Sequence, residues 1–293
     1  MNPRRPALAT ISLAFALSAC ASTPAPPPAR QAVTFANVTP GAPQEITATL
    51  VRPAGDGPFP AVVQLHGCRG LEAQSYRWAQ WFADRGYVAL VVDSFGPRRL
   101  KGDCRSDPDD PPITARFDDA FGALRYLRTL PYVRGERVAA VGWSQGGVYA
   151  MAVINGPSLE RAKKRGVDLP AVGFAAAVAV YPGGCFSLVK EQVIKPLLVL
   201  IGEADDWTPA AECAEMVTAM QSRGAEASIV IYPGAQHYFD VEGQQKEVLA
   251  DVENDVKPGG HGATVAYQEA AATDTHRRME AFLDRYLKAP ALR

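Results

Sequence analysis

Past residue 40 the chain alternates short, almost wholly apolar runs with stretches whose apolar residues recur every three or four positions. The runs at 61–65 (AVVQL), 88–92 (VALVV), 138–141, 175–180 and 197–201 read as strands covered on both faces, with a last strand at 228–232. Between and after them, Phe117, Phe121, Leu124 and Leu127, then Met279, Phe282, Leu283 and Tyr286, mark the inward faces of helices. These aromatic stripes read as core and not as cofactor contacts. Strands alternating with helices predict an α/β fold around a parallel sheet. Residues 41–52, which include ITATLVR, are predicted to form an antiparallel hairpin with 33–38. The polar, Gly-rich stretch 243–266 reads as a surface excursion before the final helix. Neither an internal repeat nor a linker past residue 40 divides the chain.

The first forty residues follow other rules. Arg4 and Arg5 precede an apolar stretch, 7–19, that is too short to span a bilayer but suits the core of an export signal. It ends in Leu17-Ser18-Ala19-Cys20, which resembles the lipobox of bacterial lipoproteins, where cleavage leaves a cysteine whose thiol carries diacylglycerol. Ala21 and Ser22 follow, with no Asp, as in lipoproteins sent to the outer membrane. The expectation is a signal peptide over 1–19, a lipidated Cys20 with a Pro/Ala-rich tether over 20–40, and one domain over 41–293. The protein would then be exported and lipid-anchored, on the periplasmic side of a Gram-negative outer membrane. A plain secretory signal with a chance cysteine is the alternative.

Composition narrows the class. Of 293 residues, 47% are apolar and 21% charged, enough for a substantial core. Thirty basic residues against thirty-one acidic ones give a net charge of -1, and with no basic patch in view no nucleic-acid partner is expected. Setting Cys20 aside leaves Cys68, Cys104, Cys185 and Cys213 in an oxidising compartment. Pairing Cys68 with Cys104 and Cys185 with Cys213 is expected, because each pair would lie in loops after neighbouring strands; four free thiols remain the alternative. No Cys/His spacing suggests a zinc site.

The chemistry gathers at Gly142-Trp143-Ser144-Gln145-Gly146, between a strand and a helical stretch. A G-x-S-x-G turn of this kind exposes a strained serine at a helix N-terminus, and its glycines are needed because backbone crowds both sides. A serine needs a base, and the base an orienting acid. Gly202-Glu203-Ala204-Asp205-Asp206 follows a strand and supplies the acid, Asp205 first and Asp206 second. Of the four histidines, His261 lies in the Gly-rich stretch, His276 flanks the last helix and His66 precedes the elbow, which leaves His237, just after the last strand, as the base. The backbone NH groups of Gln145 and of Cys68, in the loop His66-Gly67-Cys68-Arg69-Gly70, are the expected oxyanion donors, with Arg69 as second choice for the latter. His66 itself reads as a buried structural residue.

These segments, with VVDSFGPR at 91–98, GAQHYFD at 234–240 and the closing YQEAAATDTHRRMEAFLDRYL, resemble the dienelactone hydrolase family of the α/β-hydrolase superfamily over roughly 45–288. The resemblance implies an α/β-hydrolase fold with a mostly parallel central sheet and helices on both faces. It also implies a triad of Ser144, Asp205 and His237, and no metal or organic cofactor. Two departures matter. The family's namesakes use a Cys nucleophile held by a Glu in the oxyanion-side loop, whereas this chain has Ser144 and HGCRG. The expected substrate is therefore a small carboxylic ester or lactone, hydrolysed through an acyl-enzyme, and not dienelactone itself. Arg69, Arg98 and Arg99 are candidates for an anionic substrate group, although loop arginines are usually solvated. A serine peptidase or amidase on the same fold, and a non-catalytic binding lipoprotein, are the competing readings. Specificity is expected to lie in the loops 95–113 and 182–193.

Overall fold

The computed structural model describes Met1 and residues 29–102, 104 and 113–289. The signal segment, Cys20 and most of the tether lie outside the described residues. Eight strands, β1 (Ala29–Ala36), β2 (Glu45–Arg52), β3 (Phe59–Leu65), β4 (Val88–Asp93), β5 (Val133–Trp143), β6 (Ala176–Val180), β7 (Leu197–Gly202) and β8 (Ala227–Tyr232), form one sheet in the order β1-β2-β4-β3-β5-β6-β7-β8. β1 with β2 and β2 with β4 are antiparallel, and every later pairing is parallel. The apolar runs became the central strands for the anticipated reason. Val62, Val63, Ala139, Val141, Val178 and Leu200 have no exposed surface, and burying each large aliphatic side chain is worth about 1.5–3 kcal/mol. β8, the edge strand, is buried only at its two ends, with Ser228 and Ile231 exposed.

Helices α1 (Ala73–Asp84), α2 (Ile113–Thr129), α3 (Gln145–Ala152), α4 (Gly156–Lys164), α5 (Ala210–Ser222) and α6 (Glu269–Leu283) pack on both faces of the sheet. Phe117, Phe121, Leu124 and Leu127 all face inward from α2, as their spacing requires. Because the parallel strands run the same way, the loops after β3, β5, β6, β7 and β8 converge at one edge, the usual place for a site in such sheets.

Two boundaries differ from expectation. The expected antiparallel hairpin is present, but β1 starts earlier, at Ala29, so the sheet also recruits residues 29–32, which composition assigned to the tether. Backbone pairing and the burial of Phe35 outweigh the weak local signal there. The stretch 243–266 is likewise more than a surface excursion: β9 (Glu247–Glu253) and β10 (His261–Val265) form a second, two-stranded antiparallel sheet. Cys68 is bonded to Cys104 and Cys185 to Cys213, the expected pairing, with Cys213 on α5 and not in a loop.

Candidate active site

At the end of β5 the chain turns sharply into α3, and Ser144 takes the turn at φ 53°, ψ -120°. For a serine this left-handed conformation costs about 1–3 kcal/mol and persists only where surroundings impose it. They do: a Cβ on Gly142 would lie 2.0 Å from the Gly146 carbonyl oxygen, and one on Gly146 2.0 Å from that of Leu65. Ser144 is pinned by its own NH, which donates to Val180 O at 2.9 Å. The Gln145 amide opens α3 and so has no acceptor in a preceding helical turn.

Asp205 lies in the loop after β7. Its Oδ2 is 2.7 Å from His237 Nδ1, and both side chains have no exposed surface. Asp205 Oδ1 accepts from the amides of Trp207 and Thr208 at 3.0 and 2.9 Å, while Oδ2 also accepts from the Thr208 hydroxyl at 2.9 Å. The Nδ1–Oδ2 contact directs the other ring nitrogen, Nε2, away from the carboxylate. Nε2 is buried and makes no hydrogen bond. The imidazole is boxed by the rings of Tyr181 and Trp207, at 4.4 and 4.9 Å. Trp207 in turn shares with Ser144 a cleft of about 350 Å³, which Gln145, Cys68, Phe186 and Val256 also line.

Asp206, the alternative acid, faces away from His237. Its carboxylate accepts from the Thr264 amide and hydroxyl, each at 2.7 Å, and pairs with Lys257 at 2.7 Å. Burial opposes ionisation, yet the Lys257 and Thr264 bonds hold its carboxyl below the usual range. Asp206 thus ties the β9–β10 hairpin to the site. Trp207 Nε1 donates to Glu253 O at 2.9 Å and Asn254 Nδ2 to Asp206 O at 2.9 Å, completing that attachment.

The loop after β3 carries the other expected donor. His66 is buried; its Nδ1 lies 2.7 Å from Gly67 O, and its Nε2 accepts from the Ser94 amide at 3.2 Å. Burial, with the Arg116 charge beside it, pushes the imidazole well below its ordinary pKa, so His66 is a neutral brace for this loop. Cys68 borders the cleft beside Ser144 and is anchored through its disulfide to Cys104. His261 is exposed at the start of β10, and His276 packs tilted against Trp78, with ring centres 4.4 Å apart. Arg98 is committed to Asp119 through two bonds of 2.6 and 2.8 Å, Arg69 pairs with Glu72, and Arg99 is exposed. None of the three lines the cleft.

Three features escaped the sequence reading. Thr208, three residues after Asp205, closes a local turn that D-D-W-T could have signalled. Asp240 is buried and accepts from Trp78 Nε1 and Trp143 Nε1 at 2.9 Å each, Tyr181 Oη at 2.8 Å and Gln74 Nε2 at 2.6 Å. Burial raises its carboxyl, and the bonds from Tyr181 and the two indoles work against that. It joins the elbow, the end of β6 and the His237 loop across sequence distances no local pattern reveals. Arg116, buried on α2, was readable as an arginine in an apolar stripe one turn before Ala120.

The sequence matches the Dienelactone hydrolase family over residues 46–287. A Bradyrhizobium protein named "Probable 2-oxo-3-(5-oxofuran-2-ylidene)propanoate lactonase" is 26% identical over 203 residues, covering 66% of this chain and 78% of that one. Among solved structures, a dienelactone hydrolase from Anabaena variabilis covers 89% of this chain and 99% of its own, with a TM-score of 0.59 at 18% identity. Thermogutta terrifontis esterase 2 phosphorylated by paraoxon covers 88% and 96%, with a TM-score of 0.60 at 18% identity. At those identities the structural likeness speaks to the α/β-hydrolase fold alone.

Proposed function

This chain belongs to the dienelactone hydrolase family and is a carboxylic ester hydrolase; from that premise we propose that it works as a serine hydrolase, through an acyl-enzyme on Ser144. The observation that carries the reading is the wholly buried Asp205–His237 pair at 2.7 Å, set at the same sheet edge as a serine held at φ 53° on a helix N-terminus. Asp205 fixes the imidazole so that Nε2 is the basic atom. His237 takes the Ser144 proton as Oγ attacks the ester carbonyl, and the NH groups of Gln145 and Cys68 receive the developing oxyanion. His237 then protonates the leaving alcohol, and water repeats the sequence on the acyl group. The positive end of α3 favours the same charge.

The substrate is a small, largely uncharged ester or lactone. Support comes from the modest cleft, from the exposed apolar side chains of Phe186 and Val256 within its otherwise mostly polar rim, and from the commitment of Arg98 to Asp119. The relatives named for lactonase and esterase activity point to the same chemistry. Ser144→Ala should remove turnover of p-nitrophenyl butyrate, by at least about a thousandfold, while leaving the circular dichroism spectrum unchanged. An unaffected rate would sink the assignment.

Anchoring at Cys20 is part of the same proposal. It is supported by the lipobox-like LSAC and by two disulfides, which suit an oxidising compartment. Several acyl chains, at about 0.8 kcal/mol per buried methylene, hold a protein at a bilayer without help from net charge. Metabolic palmitate labelling that is lost in Cys20→Ala is the expected result, and equal labelling of both proteins would refute it.

A further inference from the structure

α2 presents one residue that its apolar stripe does not explain. Arg116 is 2% exposed, and its guanidinium lies 4.5 Å from the centre of the Tyr149 ring and 5.3 Å from that of Phe95. Among the described residues no carboxylate lies within ion-pair distance of it; the nearby Asp119 is engaged by Arg98. Burial pushes this guanidinium below its ordinary pKa, and the neighbouring Tyr149 and Asp119 side chains act against that. Besides a side-chain bond with Tyr149, two of its hydrogen bonds reach the site. Nη1 donates to Gln145 Oε1 at 2.5 Å and Nη2 to His66 O at 2.5 Å. One acceptor belongs to the residue whose amide opens α3 beside Ser144. The other lies two residues before Cys68, in the loop carrying the second amide.

We propose that Arg116 is a positioning residue for oxyanion stabilisation: one planar fork clamps the Gln145 side chain and the His66 carbonyl together, and so fixes the spacing of the two amides that face the reacting carbonyl. A guanidinium suits this because its two arms diverge at a fixed angle, which an ammonium cannot copy. Its charge has a second consequence. The tetrahedral intermediate brings a negative oxygen to the neighbouring amides, and a buried cation one hydrogen bond away from each of those segments favours that charge. The inference rests on the assignment of Ser144, Gln145 and Cys68 above.

The test compares Arg116→Met, Arg116→Lys and Gln145→Ala with Ser144→Ala, using p-nitrophenyl butyrate and an alkyl trifluoromethyl ketone. That ketone accepts Oγ at its carbonyl carbon while the Ser144 proton passes to His237, leaving a hemiketal oxyanion. Arg116→Met should lower kcat by about a hundredfold, the scale of losing one oxyanion donor, with KM changed less than threefold. Ketone affinity should fall in parallel with kcat/KM across the series. Arg116→Lys should recover roughly tenfold of the lost kcat, since it restores charge but not the fork. It also carries the test if the Met variant does not fold. Arg116 variants with wild-type kcat beside an inactive Ser144→Ala would overturn this inference alone, as would ketone affinity that stays constant while kcat falls. Turnover surviving in Ser144→Ala would overturn the underlying assignment and this inference with it.

Discussion

The floor of the site and its rim are built on opposite principles. The floor, from Gly142 to Gly146 with Asp205, His237 and His66, is largely buried, and Gly142 and Gly146 have backbone oxygen at 2.0 Å from where a Cβ would stand. The rim is a polar hairpin, β9–β10, held by a handful of bonds from Asp206, Trp207 and Asn254. The floor tolerates few residue types because sterics and buried charge leave no slack. The rim tolerates more at its outward positions, since residues 247–251 are largely exposed even though Asn254, Ala263 and Val265 are buried. Geometry for the chemistry is therefore kept in one place and adaptability for the substrate in the other.

The sharpest way to break this contrast is one methyl group. Gly146→Ala should abolish soluble, folded protein, because its Cβ cannot coexist with the Leu65 carbonyl without moving β3 or α3. The measurement is soluble expression with thermal unfolding, and a folded Gly146→Ala enzyme of normal activity would contradict the picture of a rigid floor.

Next comes a comparison of neighbours. Asp205→Asn should leave the fold intact and lower kcat by roughly 10³–10⁴, because the imidazole loses the partner that fixes its tautomer. Asp206→Asn should change kcat less than tenfold while raising KM and hastening limited proteolysis within 243–266, because it frees the hairpin and not the base. Steady-state kinetics on both variants decide the matter, and equal losses would erase the distinction between floor and rim.

The smallest effect is one of pH on stability. His66 and His276 both have pKa values lowered by burial in the native protein, His66 also by Arg116. Below about pH 6.5 the unfolded chain takes up protons at these positions that the native state refuses, so stability should fall as pH drops from there, until the native histidines themselves titrate. Each contributes a slope of at most about 1.4 kcal/mol per pH unit. Denaturant unfolding between pH 8 and 5 should show the decline, and His276→Phe should flatten part of it. A midpoint independent of pH across that range would disprove the linkage.

The same division explains what could be read before the fold was known. The central strands were legible because burial on both faces demands unbroken apolar runs, and the elbow because backbone crowding demands Gly142 and Gly146. Asp205 and His237 were legible through their positions at strand ends. The hairpin was not, because its attachment runs through long-range contacts such as Asp206 to Thr264, 58 residues apart, and the bridge between His237 and Val265. Asp240 was hidden for a related reason: its value lies in four donors gathered from three distant segments. The pairing of β1 with β2 was legible from 33 onward, whereas its first residues, 29–32, read as tether because pairing and not their own composition makes them a strand. Arg116 was overlooked although its helical spacing marked it as an inward-facing cation.

The most direct test of the central claim is covalent capture. Full-length protein treated with a fluorophosphonate should gain one equivalent of adduct by intact mass, mapped by peptide sequencing to Ser144. Labelling should be strongly slowed in Asp205→Asn and absent in Ser144→Ala. Adduct at another residue, or labelling that persists in Ser144→Ala, would contradict a serine hydrolase built on Ser144, His237 and Asp205.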